Sequence, residues 1–230
     1  MKQKKMSSSV IKKILSVYGI AYLVLLVFVV GLQFLYPKAA LHMLLNSHHT
    51  GIQDTFFKYY SMLAEWPLYV LALLPILWKK IKISVFFGLC ELSGGAIIQI
   101  LKHIFSFDRP ASVFENSSSM ILPVVDGVDL YHCSSFPSGH AFTFFTFCTC
   151  CALILAYHYK LREGQNNHAN WFLLNMSLLL LLSLAVLGCY SRIYLSQHFL
   201  SDVCVGSIIG FVIPCLMFHI CNKTLKHNKG

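Results

Sequence analysis

Ser191-Arg192-Ile193-Tyr194-Leu195-Ser196-Gln197-His198-Phe199-Leu200-Ser201-Asp202 sets a guanidinium, an imidazole and a carboxylate within one short stretch, between two apolar runs. His198 and Asp202 are four apart, so on a helix they share a face and the carboxylate can hold the imidazole. A carboxylate on one ring nitrogen fixes the tautomer and leaves the other nitrogen free to act as nucleophile or base. Arg192 and His198 are six apart and would point about 120° away from each other on one helix. A single ligand reaches both only if the chain bends between them. The bend is expected across 194–197, with Arg192 closing one helix and His198 opening the next. Taken alone, the stretch reads equally well as an interfacial histidine beside a helix-capping aspartate.

Composition sets the surroundings. Of 230 residues, 57% are hydrophobic and 12% charged, with mean hydropathy +0.65. A soluble domain carries about 25% charged residues, so this chain is an integral membrane protein. The net charge of +9 comes from lysines in short clusters between apolar runs, which excludes a nucleic-acid surface. Most of the 9 cysteines lie inside apolar runs, where the thiol is a small core hydrophobe; neither a disulfide framework nor a zinc site is expected.

Apolar runs at about 14–36, 60–78, 83–101, 139–159, 171–189 and 199–220 each have the length of a membrane-spanning helix. The expectation is an all-α, single-domain bundle of six transmembrane helices over 1–230, with both termini cytoplasmic. With the basic segment 1–13 inside, thirteen of the 18 basic residues fall on the inner side, as the positive-inside rule requires. Lys38, Lys58, Lys102, Arg109 and Arg192 are left outside, as exceptions that need a reason. The long segment 102–138 is also outer, and Asp126-Gly127 between two short apolar stretches predicts a β-hairpin there.

Two further patches fall on this outer face. In Lys102-His-Ile-Phe-Ser-Phe-Asp-Arg109-Pro110, seven residues return Arg109 to nearly the helical face of Lys102, and Pro110 stops the helix. In Pro137-Ser138-Gly139-His140, Ser138 suits an N-cap and Gly139 admits a ligand close to the backbone. Free amides at that helix start attract an anion, and His140 in the first turn can reach it. Each patch alone is an ordinary interfacial anchor or capped helix start. Together, three cations, backbone donors and two imidazoles suit a tetrahedral dianion, because charge-assisted contacts to phosphate are strong.

These three patches, Lys-x6-Arg-Pro, Pro-Ser-Gly-His and Ser-Arg-x5-His-x3-Asp, resemble the type 2 phosphatidic acid phosphatase family, which shares its fold with vanadium haloperoxidases. No defining position departs from the pattern. The resemblance implies that His198 attacks phosphorus to form a phosphohistidine and that Asp202 orients it. It implies that His140 protonates the leaving alkoxide and later activates water. Lys102, Arg109, Arg192, Ser138 and Gly139 would bind the phosphoryl oxygens. With three fixed cations, neither metal nor cofactor is required.

The expected activity is hydrolysis of a phosphomonoester or pyrophosphate from a membrane lipid on the non-cytoplasmic side. The expected setting is a bacterial inner membrane with the site facing the periplasm or exterior. Phosphatidic acid, phosphatidylglycerophosphate, isoprenyl diphosphate and lipid A phosphates all fit, and the partner is the lipid phosphate itself. A phosphotransferase using the same site, or a non-catalytic lipid transporter or binding protein, are the alternatives. Glu91, about 16 Å deeper than Lys102, reads as a packing carboxyl beside Ser93, Gly94 and Gly95. Glu65 and Trp66 read as interfacial anchors, His48-His49 as a solvated outer loop, and the 142–147 aromatics as lipid-facing or core.

Overall fold

A segment surrounded by lipid must satisfy its amides internally, so apolar runs become helices. The computed structural model describes residues 9–67, 69–71, 74, 80–116, 121–161 and 168–224. Helix α1 (Ser9–Leu35) contains a π-helical turn at Leu15–Gly19. It is followed by α2 (Lys38–Leu45), α3 (Gly51–Met62), α4 (Ile81–Ile104), α5 (Pro110–Glu115), α6 (Gly139–Leu161), α7 (His168–Tyr194) and α8 (Leu200–Thr224). Among the described residues, 5 helices (α1, α4, α6, α7 and α8) are long and apolar enough to cross a membrane. Of the expected span at 60–78, residues 68, 72, 73 and 75–78 lie outside the described residues. Its first three residues belong to α3, which ends in a turn at 63–65.

Helix α6 is the hub, packed against α4, α7 and α8, and the 142–147 aromatics are core: Phe142, Phe144 and Phe145 are buried. Two glycines on α8 set the closest approach. A Cβ at Gly206 would lie 2.3 Å from the Ser138 carbonyl oxygen, and one at Gly210 would lie 2.5 Å from that of Phe142. Small residues four apart let two helices touch backbone to backbone. The Ser138 amide donates to the Asp202 carbonyl oxygen at 3.0 Å at the top of this seam. Because the obstacle is backbone, Gly206→Ala is expected to destabilise the protein by about 1–3 kcal/mol. A thermal midpoint in detergent unchanged from wild type would contradict this.

After α1, α2 and α3 are short helices, and Thr50 caps α3 by accepting from the Gln53 amide at 3.3 Å; His48 and His49 lie in the loop between them. Two expectations are corrected. Pro110 does not end a helix but begins one, at the first position of α5, where its missing N–H costs nothing. Helix α4 has already ended at Ile104, so Lys102 and Arg109 do not share a helical face. The expected hairpin has its turn but, among the described residues, no strands; its first residue, Met120, lies outside them. Gly127 takes φ 69°, and the Val128 amide donates to the Val125 carbonyl at 3.2 Å. The flanking carbonyls are spent elsewhere: that of Pro123 accepts from Ser196 Oγ at 2.6 Å and that of Asp129 from Gln197 Nε2 at 2.8 Å.

Candidate active site

The bend between Arg192 and His198 is a helix-ending motif. At the end of α7, the Ser196 amide donates to the Ile193 carbonyl at 3.0 Å, and the Gln197 amide to the Arg192 carbonyl at 3.0 Å. This is the Schellman pattern, in which the residue after the cap takes a left-handed conformation. That residue is Ser196, at φ 53°, where glycine is usual and a side chain costs roughly 1–2 kcal/mol. The His198 amide also donates to the Arg192 carbonyl, at 3.1 Å, so backbone contacts tie the guanidinium-bearing and imidazole-bearing residues together. Helix α8 then starts at Leu200, two residues beyond His198.

Both sides of the pair are almost fully enclosed: His198 is 2% exposed and Asp202 0%. Their closest approach, Nδ1 to Oδ2, is 3.7 Å, an electrostatic contact longer than a hydrogen bond. The same Oδ2 accepts from Ser135 Oγ at 2.5 Å and from the Phe199 amide at 3.0 Å, while Oδ1 accepts from Ser201 Oγ at 3.1 Å. The carboxylate is therefore held rigidly, and His198 Nδ1 is left without a partner among the described residues. Such contacts are often long in ligand-free sites and tighten with substrate. Burial lowers His198 from 6.5 to about 3, Asp202 opposing this while Arg109 and Arg192 reinforce it. The ring is thus neutral at physiological pH and carries a free lone pair.

The cations reach the pair by different routes. The residue before a proline is confined to extended backbone, and Arg109 sits at φ −83°, ψ 165°. Two backbone contacts clamp its segment to the residues ahead of α6: Arg109 N–H to the His132 carbonyl at 3.0 Å and Ser135 N–H to the Phe107 carbonyl at 2.9 Å. Arg109 Nε then donates to the Cys133 carbonyl at 2.9 Å and Nη1 to the Gln197 carbonyl at 3.1 Å. Arg192 donates through Nη1 to Ser61 Oγ, and its Nε is buried without a partner among the described residues. Lys102, in the last turn of α4, is within electrostatic reach of Arg109, Arg192 and Asp202.

Ser138 caps α6 as expected, accepting from the Ala141 amide at 3.4 Å. A Cβ at Gly139 would meet only Ile98, at 4.0 Å, so the first turn is open to a ligand. His140, in that turn, senses the charges of Arg192, His198, Lys102 and Arg109. All eight residues singled out from the sequence therefore gather around the 138–140 and 192–202 segments. The other two cations expected outside, Lys38 and Lys58, are used structurally: Lys38 Nζ lies 4.0 Å from the Phe199 ring centre, and Lys58 Nζ donates to the Asp126 carbonyl at 3.1 Å.

The structure adds Ser135, Gln197 and Ser61, which hold Asp202, Arg109 and Arg192. Ser135 stands two residues before Pro137, and that closeness is the only sign of it in the sequence. Glu91 lies outside this cluster, accepting from Thr143 Oγ1 at 2.6 Å, and the neighbouring Gly94 makes room for the Phe142 ring.

A family model described as the PAP2 superfamily matches residues 84–226, a stretch that takes in every residue of this cluster from Lys102 to Asp202. The chain belongs to the PAP2 superfamily. This PAP2 protein is similar to the crystal structure of Aquifex aeolicus LpxE, with 25% identity, 77% of this chain and 92% of that one covered, and a TM-score of 0.55. Its fold is also similar to that of the first transmembrane PAP2-type phosphatidylglycerolphosphate phosphatase from Bacillus subtilis. There the identity is 15%, the coverage 92% and 96%, and the TM-score 0.58. A search of curated protein sequences gives no match. Family membership and the apolar helices make this an integral membrane protein whose described elements are all helices.

Proposed function

We propose that this PAP2 protein is a membrane lipid phosphatase that works through a phosphohistidine on the non-cytoplasmic side. The observation that carries the reading is the convergence of a neutral, buried His198 with Asp202, a second imidazole at His140, and the cations Lys102, Arg109 and Arg192. Phosphoryl transfer needs little from a protein beyond positioning and stabilisation of charge, and this cluster supplies both. The phosphoryl group sits over the Gly139 turn, its oxygens held by the three cations, Ser138 and the Gly139 amide. His198 Nε2 attacks phosphorus while His140 protonates the departing alkoxide. His140 then takes a proton from water, which attacks the phosphorus of the phosphohistidine and frees His198. Asp202, fixed by Ser135 and the Phe199 amide, stabilises the positive charge that develops on His198.

The substrate class follows from location. The distribution of lysines in the sequence supports a cluster at the outer membrane–water boundary, a position that favours a lipid phosphate over a soluble ester. The likeness to LpxE and to a phosphatidylglycerolphosphate phosphatase supports the same class. The deciding experiment incubates purified protein with phosphatidic acid, phosphatidylglycerophosphate, isoprenyl diphosphate and phosphorylated lipid A, and measures released phosphate. Release from at least one is expected, and release from none would leave a lipid-binding or transport role. Because three cations already neutralise the phosphoryl charge, turnover is expected to stay within about twofold in excess EDTA. A strict, reversible Mg²⁺ requirement would overturn the mechanism.

A further inference from the structure

His49, which the sequence places in a solvated loop, is built into a chain of hydrogen bonds that ends on the bend between Arg192 and His198. Its Nδ1 lies 2.9 Å from Asp54 Oδ1 and its Nε2 lies 2.8 Å from Asn46 Oδ1. Asn46, fully buried, donates through Nδ2 to Ser196 Oγ at 2.7 Å. Ser196 Oγ is in turn 2.6 Å from the Pro123 carbonyl oxygen.

The direction of each bond is forced from that far end. A carbonyl oxygen only accepts, so the Ser196 hydroxyl spends its one proton on Pro123. Ser196 Oγ must then accept from Asn46, which fixes the amide with Nδ2 toward Ser196 and Oδ1 toward His49. Asn46 Oδ1 accepts, so His49 Nε2 must donate. On the other side Asp54 Oδ1 already receives the Tyr194 hydroxyl at 2.5 Å and is an acceptor, so Nδ1 must donate too. An imidazole donates from both nitrogens only when it is protonated. The surroundings agree: the Tyr194 ring stacks on His49 with centres 4.2 Å apart, a placement that favours a cation. The Tyr194 hydroxyl, and after it His49, hold the Asp54 carboxyl below its ordinary range.

We propose that His49 is a positioning residue for the reaction, an imidazolium that holds Asn46 and through it the Ser196 turn that sets Arg192 against His198. The proposal rests on the phosphatase reading above and deepens it. It also accounts for a side chain where the Schellman motif prefers glycine: the Ser196 hydroxyl is the handle. The titratable groups facing His49 are Asp54 on α3 and Tyr194 on α7; Asn46 is neutral. A ring that donated from one nitrogen alone would set a lone pair against an acceptor and break the chain.

The test uses purified full-length protein in detergent micelles with dioctanoyl phosphatidic acid, assayed for phosphate release. His49→Phe keeps the ring stacked on Tyr194 but cannot donate. Ser196→Gly suits the left-handed backbone, so it folds, but it cuts the link. His49→Phe is expected to lose roughly ten- to a hundredfold in kcat with KM little changed, the scale on which misplaced catalytic groups are felt. Adding Ser196→Gly to His49→Phe should cost nothing further. Additive losses in the double variant, as from two independent props, overturn the proposal. Nitrogen-15 spectra of histidine-labelled protein near pH 7, with His49 assigned from the variant, decide the point without any turnover. Two protonated ring nitrogens are expected, and one bare nitrogen overturns the proposal. A protein that hydrolyses no lipid but shows the imidazolium refutes the phosphatase reading and keeps the hydrogen-bond chain.

Discussion

Replacing His198 with alanine is expected to end phosphate release from lipid substrates, by at least roughly four orders of magnitude. The reason is the division of labour in the site. Lys102, Arg109 and Arg192 are held by contacts that do not pass through the His198 side chain: Arg109 by the Cys133 and Gln197 carbonyls, Arg192 by Ser61, Lys102 by α4 itself. The variant should therefore still bind a phosphate ester and inorganic vanadate while having no atom to attack with. In wild type the same residue should be trapped as an acid-labile, base-stable phosphoenzyme after a brief exposure to labelled substrate, and no label should appear on the alanine variant. Residual turnover above roughly one per cent would remove His198 from the nucleophile's role.

His140→Ala is expected to be nearly as damaging, but selectively. General acid catalysis contributes typically 10²–10⁴-fold, and it matters most when the departing oxygen is strongly basic. A lipid alkoxide needs the proton from His140, whereas a nitrophenolate leaves without one. The loss should therefore be about 10²–10⁴-fold on a lipid phosphate and markedly smaller on p-nitrophenyl phosphate. The His198 variant, by contrast, should fail equally on both. Equal losses for His140→Ala on the two substrates would mean that it only helps hold the phosphoryl group.

What was legible in the sequence and what was not divide along one physical line. Apolar runs long enough to cross a membrane announce themselves because lipid admits only helices and closed barrels, and an unbroken apolar run lacks a barrel strand's alternation; described helices coincide with five of them. The residues of the candidate site were legible because the phosphate chemistry proposed for them restricts residue type: cations, imidazoles and an open helix start at fixed spacings. The bend was legible too, since Arg192 and His198 could not otherwise face one ligand, and α7 does end at Tyr194. The connecting segments were not. The Asp126-Gly127 turn signal is local and correct, but whether its flanks pair with each other depends on what else is near, and Ser196 and Gln197 claimed their carbonyls first. Likewise Lys102 and Arg109 meet electrostatically through a loop that the backbone limits on a pre-proline residue produce, not through a shared helical face. His49 looked like half of an exposed pair because its partners, Asn46, Asp54 and Tyr194, mean nothing until the chain is folded.

The glycine seam between α6 and α8 has a consequence for how a lipid gets in and out. With Gly206 and Gly210 pressed against the carbonyls of Ser138 and Phe142, and the Ser138 amide bonded to the Asp202 carbonyl, the proposed acid–base residue His140 and the proposed nucleophile His198 ride on a single rigid body. There is no slack in that body for breathing. If the site opens for a bulky two-chain substrate, the give is expected in parts joined to that body through side chains, the α2–α3 segment and α5. Altering selectivity between lipids, by evolution or in the laboratory, should therefore succeed by changing those two segments and fail by changing the seam.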